Sequence, residues 1–538
     1  MDGRAEATDL VRSRISLAAI LAAGAFALIG ARLADVMVFG AGGDAELADA
    51  RPAIQTRRAD LADRNGVLIA RDLPVADLYA TPSAFWDAAE AASGLAAATG
   101  VDVARLNKLF APKRGYVLIK RGLIPDARER VMQLGLPGLA FENDFRRYYP
   151  SGRIAAHLVG LSDTDGNGVS GLELGLNEAV RSADAPVRLS IDMRVQFALQ
   201  HEVAQTARDF RTKAAGGIVL DVHTGEVLAM VSLPDYEPNS RVPAPGDSTR
   251  NRMTQDVYEL GSIFKVFAFA EAIEENTISL DELFNVGSPY KLGRFTINDY
   301  GRHDHFLPAS RVFAESSNIG TAQIGLRSGA GRQQAFLAKM GLLSAMKTEV
   351  PEMAAPLFPR RWGEVETGTV SYGHGISVSP LSFAAAAAAV VNGGTSVTPT
   401  FLMRGEAQRG ERVISEETSR TMRELMRLVV TRGTGTKAEV PGYEVGGKTG
   451  TAEKPQGRGY SRNLQITSFV AIFPASEPKY LVFTMFDEPI GNRESFGFAT
   501  AGWTAAPAAG RVVARIAPLL GVPRAIDPPS ARMAAAAP

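Results

Sequence analysis

Residues 261–273, GSIFKVFAFAEAI, decide how the rest of the chain is read. The run is apolar on nearly every side, and a helix of that kind belongs in a core. Its first turn carries Ser262 and, three residues on, Lys265. Residues three apart share a helix face. A serine at the N-terminus gains from the positive end of the helix dipole as it becomes an alkoxide. A lysine one turn inside a buried helix is partly desolvated, which lowers its pKa and permits a neutral amine base.

Alone, Ser-x-x-Lys is a cheap pattern. It occurs three times, at Ser262–Lys265, Ser344–Lys347 and Ser476–Lys479. The last contains Pro478 in an apparent hairpin turn, which argues against a helical pair. Ser344 follows a short apolar run and has no glycine directly before it. Only Ser262 is preceded by glycine and opens a long apolar segment. Two further patterns supply context. Ser-x-Asn occurs at Ser316-Ser317-Asn318 and at Ser461-Arg462-Asn463, and Lys-Thr-Gly once, at Lys448-Thr449-Gly450, followed by Thr451. On a strand Thr449 and Thr451 share a face, so two hydroxyls can grip one carboxylate, with Lys448 supplying the opposing charge. Glycines beside them let a substrate backbone approach closely. Ser262, Ser316 and Lys448 follow one another as nucleophile, second serine and cationic strand, whereas Ser461 lies beyond the strand. The ordered trio reads as an active-serine site.

Working outward, IVLDVHTGEVLAMVSL (218–233) predicts a hairpin about Thr224-Gly225. SFVAIFP and KYLVFTMF flank a second turn at 475–478. Helices are expected at Phe264–Ala272 and Leu381–Val391, the latter stopped by Asn392-Gly393-Gly394. Strands at both ends with helices between them predict an α+β domain over 188–522, its sheet packed against a helical cluster. Residues 57–187 are mixed, with a hairpin turn at Asn65-Gly66 and an Ala-rich helix over Ala84–Ala98. The tail 523–538 is rich in Pro and Ala and is expected to be disordered.

At the other end, ISLAAILAAGAFALIGA runs uncharged for seventeen residues between Arg14 and Arg32. With Leu33 and Val36–Phe39 it predicts a transmembrane anchor over 15–39, following a cytoplasmic tail (1–14) and followed by a tether (40–56). Arg4, Arg12 and Arg14 keep the N-terminus cytoplasmic by the positive-inside rule and export the remainder. The alternative is a cleaved signal peptide ending near Ala25-Phe26-Ala27. The 538 residues carry 58 basic and 58 acidic side chains, which argues against a nucleic-acid binder. The absence of cysteine removes disulfides, thiolate catalysis and cysteine metal sites.

At the three motifs the chain resembles the penicillin-binding proteins, the active-serine acyltransferases of cell-wall synthesis. RRADLADRNG (57–66), RRYYPSGRIAAHLVG (146–160), GLE (171–173) and LSIDMRVQ (189–196) resemble boxes of the class B branch, with Ala59 where glycine is usual. DVYELGSIFKVF, SSNIGTAQIG, SYGHGISVSPL and GYEVGGKTGTAEK resemble its catalytic blocks, with Leu260 and Val266 where prolines are common. With no glycosyltransferase domain ahead of the pedestal, class A is disfavoured. The resemblance implies a membrane anchor, an elongated mixed α/β pedestal (57–187, dimerisation-like) and a serine β-lactamase-like transpeptidase domain.

The resemblance also implies roles. Ser262 attacks the penultimate D-alanine carbonyl of a peptidoglycan stem peptide and Lys265 takes its proton. Ser316 relays a proton and Asn318 holds the donor amide. Lys448, Thr449, Gly450 and Thr451 form the strand that binds the terminal carboxylate or the equivalent group of a β-lactam. Backbone N–H groups of Ser262 and Thr451 form the oxyanion hole. The amine of a second stem peptide accepts the acyl group, and no metal or organic cofactor is required. Arg57, Asp63, Arg64, Gly66 and Glu173 are expected to serve structure and contact between the domains. Implied partners are donor and acceptor stem peptides, β-lactams as covalent inhibitors, a polytopic lipid II polymerase and other division proteins. The YGHGISVSPL and YELGS forms, the short pedestal and DGNG before GLE lean toward the division-specific (FtsI) type. An elongation-specific enzyme is the alternative, at the inner membrane with a periplasmic catalytic domain in either case. A non-enzymatic β-lactam sensor would normally connect its anchor to a cytoplasmic effector, and only about fourteen residues precede this one. A secreted β-lactamase would leave anchor and pedestal unexplained.

Other patterns read as decoys. DTDGNGVSGLEL (163–174) nearly matches a calcium loop, but position 12 is Leu174, with Glu173 one residue early. Gly166-x-Gly168-x-x-Gly171 lacks the strand and helix of a dinucleotide fingerprint. His303-Asp304-His305 suggests no third metal ligand.

Overall fold

Apolar residues alternate between two cores along the strands of the larger sheet. Ile218, Leu220, Val470, Ile472, Leu481 and Phe483 enter one core. Val219, Phe469, Ala471, Phe473 and Val482 enter the other. A strand with period-2 side chains and apolar residues at every position must be covered on both faces, and in the computed structural model this sheet is. The structure describes residues 57–111, 115–240, 242, 246–301, 303–456 and 459–524, together with five positions between 23 and 29. The expected cytoplasmic tail and tether, all but those five positions of the expected anchor, and all but the first two residues of the expected disordered tail lie outside the described residues. Among the described residues no helix is long and apolar enough to cross a membrane.

From Arg57 onward the chain forms one compact unit with two regions. The first is built on strands β1 (Leu61–Ala62), β2 (Leu68–Ala80), β3 (Val117–Leu123), β4 (Leu139–Tyr148) and β5 (Val187–Arg188). They pair in the order β3-β2-β1-β5, with β4 also against β2. Gly66, at φ +91°, makes the turn between β1 and β2. The Ala-rich helix begins at Ala88, later than the composition suggested, because the Asp87 carboxylate accepts from the amides of Ala89 and Glu90 and caps it there.

Three ion pairs among four charged residues lock the root of this region. Arg58 donates to Glu173 Oε2 at 2.6 Å and Arg147 to Glu173 Oε1 at 2.6 Å. Arg147 also reaches Asp72 at 3.2 Å, and Asp72 accepts the Arg58 amide at 2.7 Å. All four side chains are buried, which such charges tolerate only when mutually paired. The 163–174 loop is thereby explained: Glu173 is held by two arginines, and Asp163 accepts the amides of Asp165 and Asn167. Arg57 pairs with Asp60, three residues away, at the surface of the pedestal, and among the described residues makes no ion pair with the second region. Its neighbour Arg58 is turned inward, a choice that residue type could not reveal. Asp63 accepts from the Met193 amide at 3.0 Å, and Arg64 reaches Glu226 at 3.3 Å, both in the second region.

The second region begins with α1 (Met193–Asp209) and the hairpin β6 (Ala214–Asp221) and β7 (Val227–Leu233). It ends with β8 (Gly446–Gln456), β9 (Gly459–Phe473), β10 (Tyr480–Asp487) and α6 (Ala505–Leu519). The sheet runs β8-β9-β10-β6-β7, antiparallel throughout, so β10 against β6 joins the two ends of the domain. α1 and α6 cover one face. The other face carries α2 (Lys265–Glu274), α3 (Asn318–Ser328), α4 (Pro380–Val391) and α5 (Glu416–Arg432). The expected helical cluster is thus one of two layers on the sheet.

Candidate active site

Ser262 sits in a 3-10 turn, Gly261–Phe264, that feeds α2. The turn lies against edge strand β8. A Cβ on Gly450 would meet Leu260 O and Ser468 Oγ at 2.6 Å each, so only glycine lets turn and strand touch here. Gly261, at φ +58°, brings Ser262 beside the Thr451 backbone: a Cβ there would stand 3.1 Å from Thr451 O. Gly373, from the YGHG segment, completes the packing; at φ +82° its Cβ would fall 2.2 Å from Gly261 O.

Lys265 is fully buried one turn after Ser262. Its Nζ donates to the Ser316 carbonyl (2.5 Å), Asn318 Oδ1 (2.8 Å) and Ser316 Oγ (3.2 Å). Burial lowers its pKa to about 7, and the Asp299 carboxylate opposes that shift. Lys448 is also fully buried. Its Nζ donates to Ser316 Oγ at 2.8 Å and to the Thr449 carbonyl at 3.1 Å. Burial and the neighbouring Lys265 charge hold its pKa well below the ordinary lysine value. Lys448 therefore does not present a bare charge at the cleft surface; its Nζ is buried against Ser316 Oγ.

Ser316 is placed by an uncommon backbone. Its φ of +63° is left-handed, a conformation that costs a non-glycine residue energy and persists only when its surroundings enforce it. Those surroundings are the N-terminus of α3. Ser317 Oγ caps that helix by accepting the Gly320 amide at 3.0 Å and donates to Asp299 Oδ2 at 2.6 Å. Asp299 Oδ1 accepts the amides of Asn318 and Ile319. One carboxylate thus fixes the turn that aims Ser316 and Asn318 at Lys265. On β8, Thr449 Oγ1 lies 2.6 Å from Thr434 Oγ1, and Thr451 Oγ1 accepts the Ala501 amide at 3.2 Å.

Ser262, Asn318 and Thr451 open on a cleft of about 680 Å³ whose lining also includes Tyr372, His374 and Glu453. Ser344 and Lys347 are exposed in a loop, and Ser476 and Lys479 in a hairpin turn. Ser461 lies on β9, past the bulge after Glu453. His303 contacts Glu315 at 3.0 Å and Asp299 at 3.7 Å, while Asp304 pairs with Arg311. The structure thus brings Ser262, Lys265, Ser316, Asn318 and Lys448–Thr451 together. Asp63, Arg64, Gly66 and Glu173 lie in the pedestal and its junction. Asp299, Thr434 and Gly373 escaped the sequence reading. Asp299 lies 18 residues from the serine it braces, with no periodicity to connect them.

Residues 215–508 match the family model of the penicillin binding protein transpeptidase domain, and residues 53–192 that of the penicillin-binding protein dimerisation domain. A probable peptidoglycan D,D-transpeptidase FtsI of Caulobacter vibrioides is 44% identical over 88% of this chain and 82% of its own length. The peptidoglycan D,D-transpeptidase FtsI of Escherichia coli K12 is 29% identical over 83% and 82%. The crystal structure of penicillin binding protein 3 from Mycobacterium tuberculosis, complexed with aztreonam, superposes with a TM-score of 0.69 at 26% identity, over 88% of this chain and 98% of that one. With Ser262, Lys265, Ser316 and Lys448 gathered about one cleft and a dimerisation domain ahead of them, the chain belongs to the class B penicillin-binding proteins.

Proposed function

We propose that this chain cross-links peptidoglycan as a D,D-transpeptidase through an acyl-enzyme on Ser262, in septal wall synthesis during division. The observation that carries the reading is one hydroxyl, Ser316 Oγ, held between two buried lysines that approach it from α2 and β8. A lysine with its pKa near 7 is a neutral base in a large fraction of molecules at neutral pH.

The donor peptide's terminal carboxylate is gripped by the Thr449 and Thr451 hydroxyls, with Lys448 supporting from beneath. Ser262 Oγ adds to the penultimate D-alanine carbonyl as its proton passes to Lys265 Nζ. The developing oxyanion faces the backbone N–H groups of Ser262 and Thr451. The C–N bond then breaks, the proton reaches the departing D-alanine amine by way of Ser316, and an ester remains on Ser262. Asn318 holds the donor amide. The amine of a second stem peptide attacks the ester, the bond from the acyl carbon to Ser262 Oγ breaks, and the amine's proton returns along the same route to Ser262 Oγ.

The anchor over 15–39 places this chemistry outside the inner membrane, in the periplasm. There the pedestal, fixed by Asp63, Arg64, Gly66 and Glu173, offers contacts to a lipid II polymerase and other division proteins. Similarity to the FtsI relatives supports the septal assignment over an elongation role. Fluorescent penicillin should label wild-type protein covalently. Depletion in cells should give filaments; rounded cells would indicate elongation instead.

A further inference from the structure

The cleft is not uniform in charge. Behind the wall that carries Asn318 lie two buried lysines: Lys265 Nζ donates to Asn318 Oδ1, and Lys448 Nζ to Ser316 Oγ. Glu453 stands on the wall formed by β8. The pairing of β8 with β9 is regular from Gly446↔Ile472 to Glu453↔Gln465, and the bulge comes only after Glu453. Alternation along that stretch gives Thr449, Thr451 and Glu453 the same face. Glu453 accordingly lines the cleft with Ser262, Asn318 and Thr451. The Tyr300 hydroxyl donates to its Oε1 at 3.2 Å.

Other ionisable groups on the wall do not compete for this role. Asp299 is engaged by three donors of the 317–319 turn. Burial lowers the pKa of His374, so its imidazole is neutral at neutral pH. Lys454, the next residue past Glu453, is drawn off to Asp487 (2.8 Å) and Glu488 (2.7 Å). Glu453 therefore contributes a negative charge to one end of a site whose opposite end is built for a carboxylate. An ammonium offers three donors and no acceptor, and a carboxylate bordered by the rings of Tyr300, Tyr372 and His374 matches it.

We infer that Glu453 is a specificity-determining residue that receives a primary ammonium group carried by a peptide bound in the cleft. The inference rests on the transpeptidase reading, since that reading fixes which end holds the donor carboxylate. Either the donor or the acceptor peptide can carry the ammonium, and the two sources separate experimentally.

The test compares wild type with Glu453→Gln, which keeps an acceptor for Tyr300 and loses the charge. Acylation rate constants are measured with ampicillin, whose side chain bears a primary ammonium, and with benzylpenicillin, which lacks it. A fall of about five-fold in the ampicillin-to-benzylpenicillin ratio, the scale of one exposed charge pair, places the ammonium on the donor. In parallel, a thioester donor is partitioned between water and an amine-bearing acceptor peptide. A fall of similar size in aminolysis over hydrolysis places it on the acceptor. Glu453→Asp should recover part of either loss, and high salt should shrink it. Both ratios unchanged in Glu453→Gln, whatever the common rate, overturn the inference. Failure of benzylpenicillin to acylate wild-type protein would instead overturn the transpeptidase reading beneath it.

Discussion

Lys448 Nζ stands 2.8 Å from Ser316 Oγ, joining an edge strand to the turn before a helix 132 residues earlier in the chain. Lys265 reaches the same hydroxyl at 3.2 Å. Two ammonium groups so close and so buried cannot both stay charged cheaply, and the site is organised around that conflict.

The first prediction concerns pH. If Lys265 is the base, it must be deprotonated to work, so benzylpenicillin acylation should rise with pH through about 7 and then level off. Stability should follow the same groups. A lysine whose folded pKa is depressed binds fewer protons folded than unfolded between about 7 and its ordinary value of 10.5. Stability therefore rises with pH across that window. Lys265→Met should raise the melting temperature, more at pH 7 than at pH 10, while abolishing acylation; thermal scans at both pH values check this.

Asp299 is predicted to be a positioning residue. Asp299→Asn weakens the hold on Ser317 Oγ and on the amides of Asn318 and Ile319. Loss of a helix cap costs roughly 0.5–2 kcal/mol. Acylation should drop by about ten-fold, equivalent to 1.4 kcal/mol, and Asp299→Glu should recover part of it. Rapid-quench acylation kinetics give the answer, and an unchanged rate would refute the role.

The pedestal network makes a sharper contrast. Arg58→Met removes one of the two guanidinium groups that hold the buried Glu173, leaving it to Arg147 alone, and should cost roughly 3–5 kcal/mol in denaturant unfolding of the chain from residue 57 onward. Arg57→Met, one residue away at the surface, should change stability by less than about 0.5 kcal/mol.

At Gly373, alanine has to adopt φ +82° with its Cβ 2.2 Å from Gly261 O. The turn carrying Ser262 must move. Gly373→Ala should lose acylation by at least about a hundred-fold, since a 1 Å misplacement can cost that much. Gly393→Ala has a comparable φ, +96°, and open space around its Cβ. It should retain most of the activity.

What the sequence disclosed follows from how far each signal reaches. Ser262 and Lys265 share one helical turn, and Thr449 and Thr451 one strand face, so local spacing was enough. Alternation announced both hairpins, and their apolar runs could have told that β9 and β10 are covered on two faces. Asp299 and Thr434 touch the site only after the chain has folded back, and no local pattern marks them; Gly373 lies in the SYGHG segment, whose resemblance marked the block but not which glycine touches the serine turn. The choice between Arg57 and Arg58 was equally hidden, because adjacent arginines on an extended segment differ only in which way they point.

Everything proposed for this site requires that Ser262 be the nucleophile and that no other serine replace it. The direct measurement is mass spectrometry of protein treated with benzylpenicillin, followed by peptide mapping. One covalent adduct is expected, on the peptide carrying Ser262, absent from Ser262→Ala and retained in Ser344→Ala. An adduct that persists in Ser262→Ala, or that maps to Ser344, would contradict it.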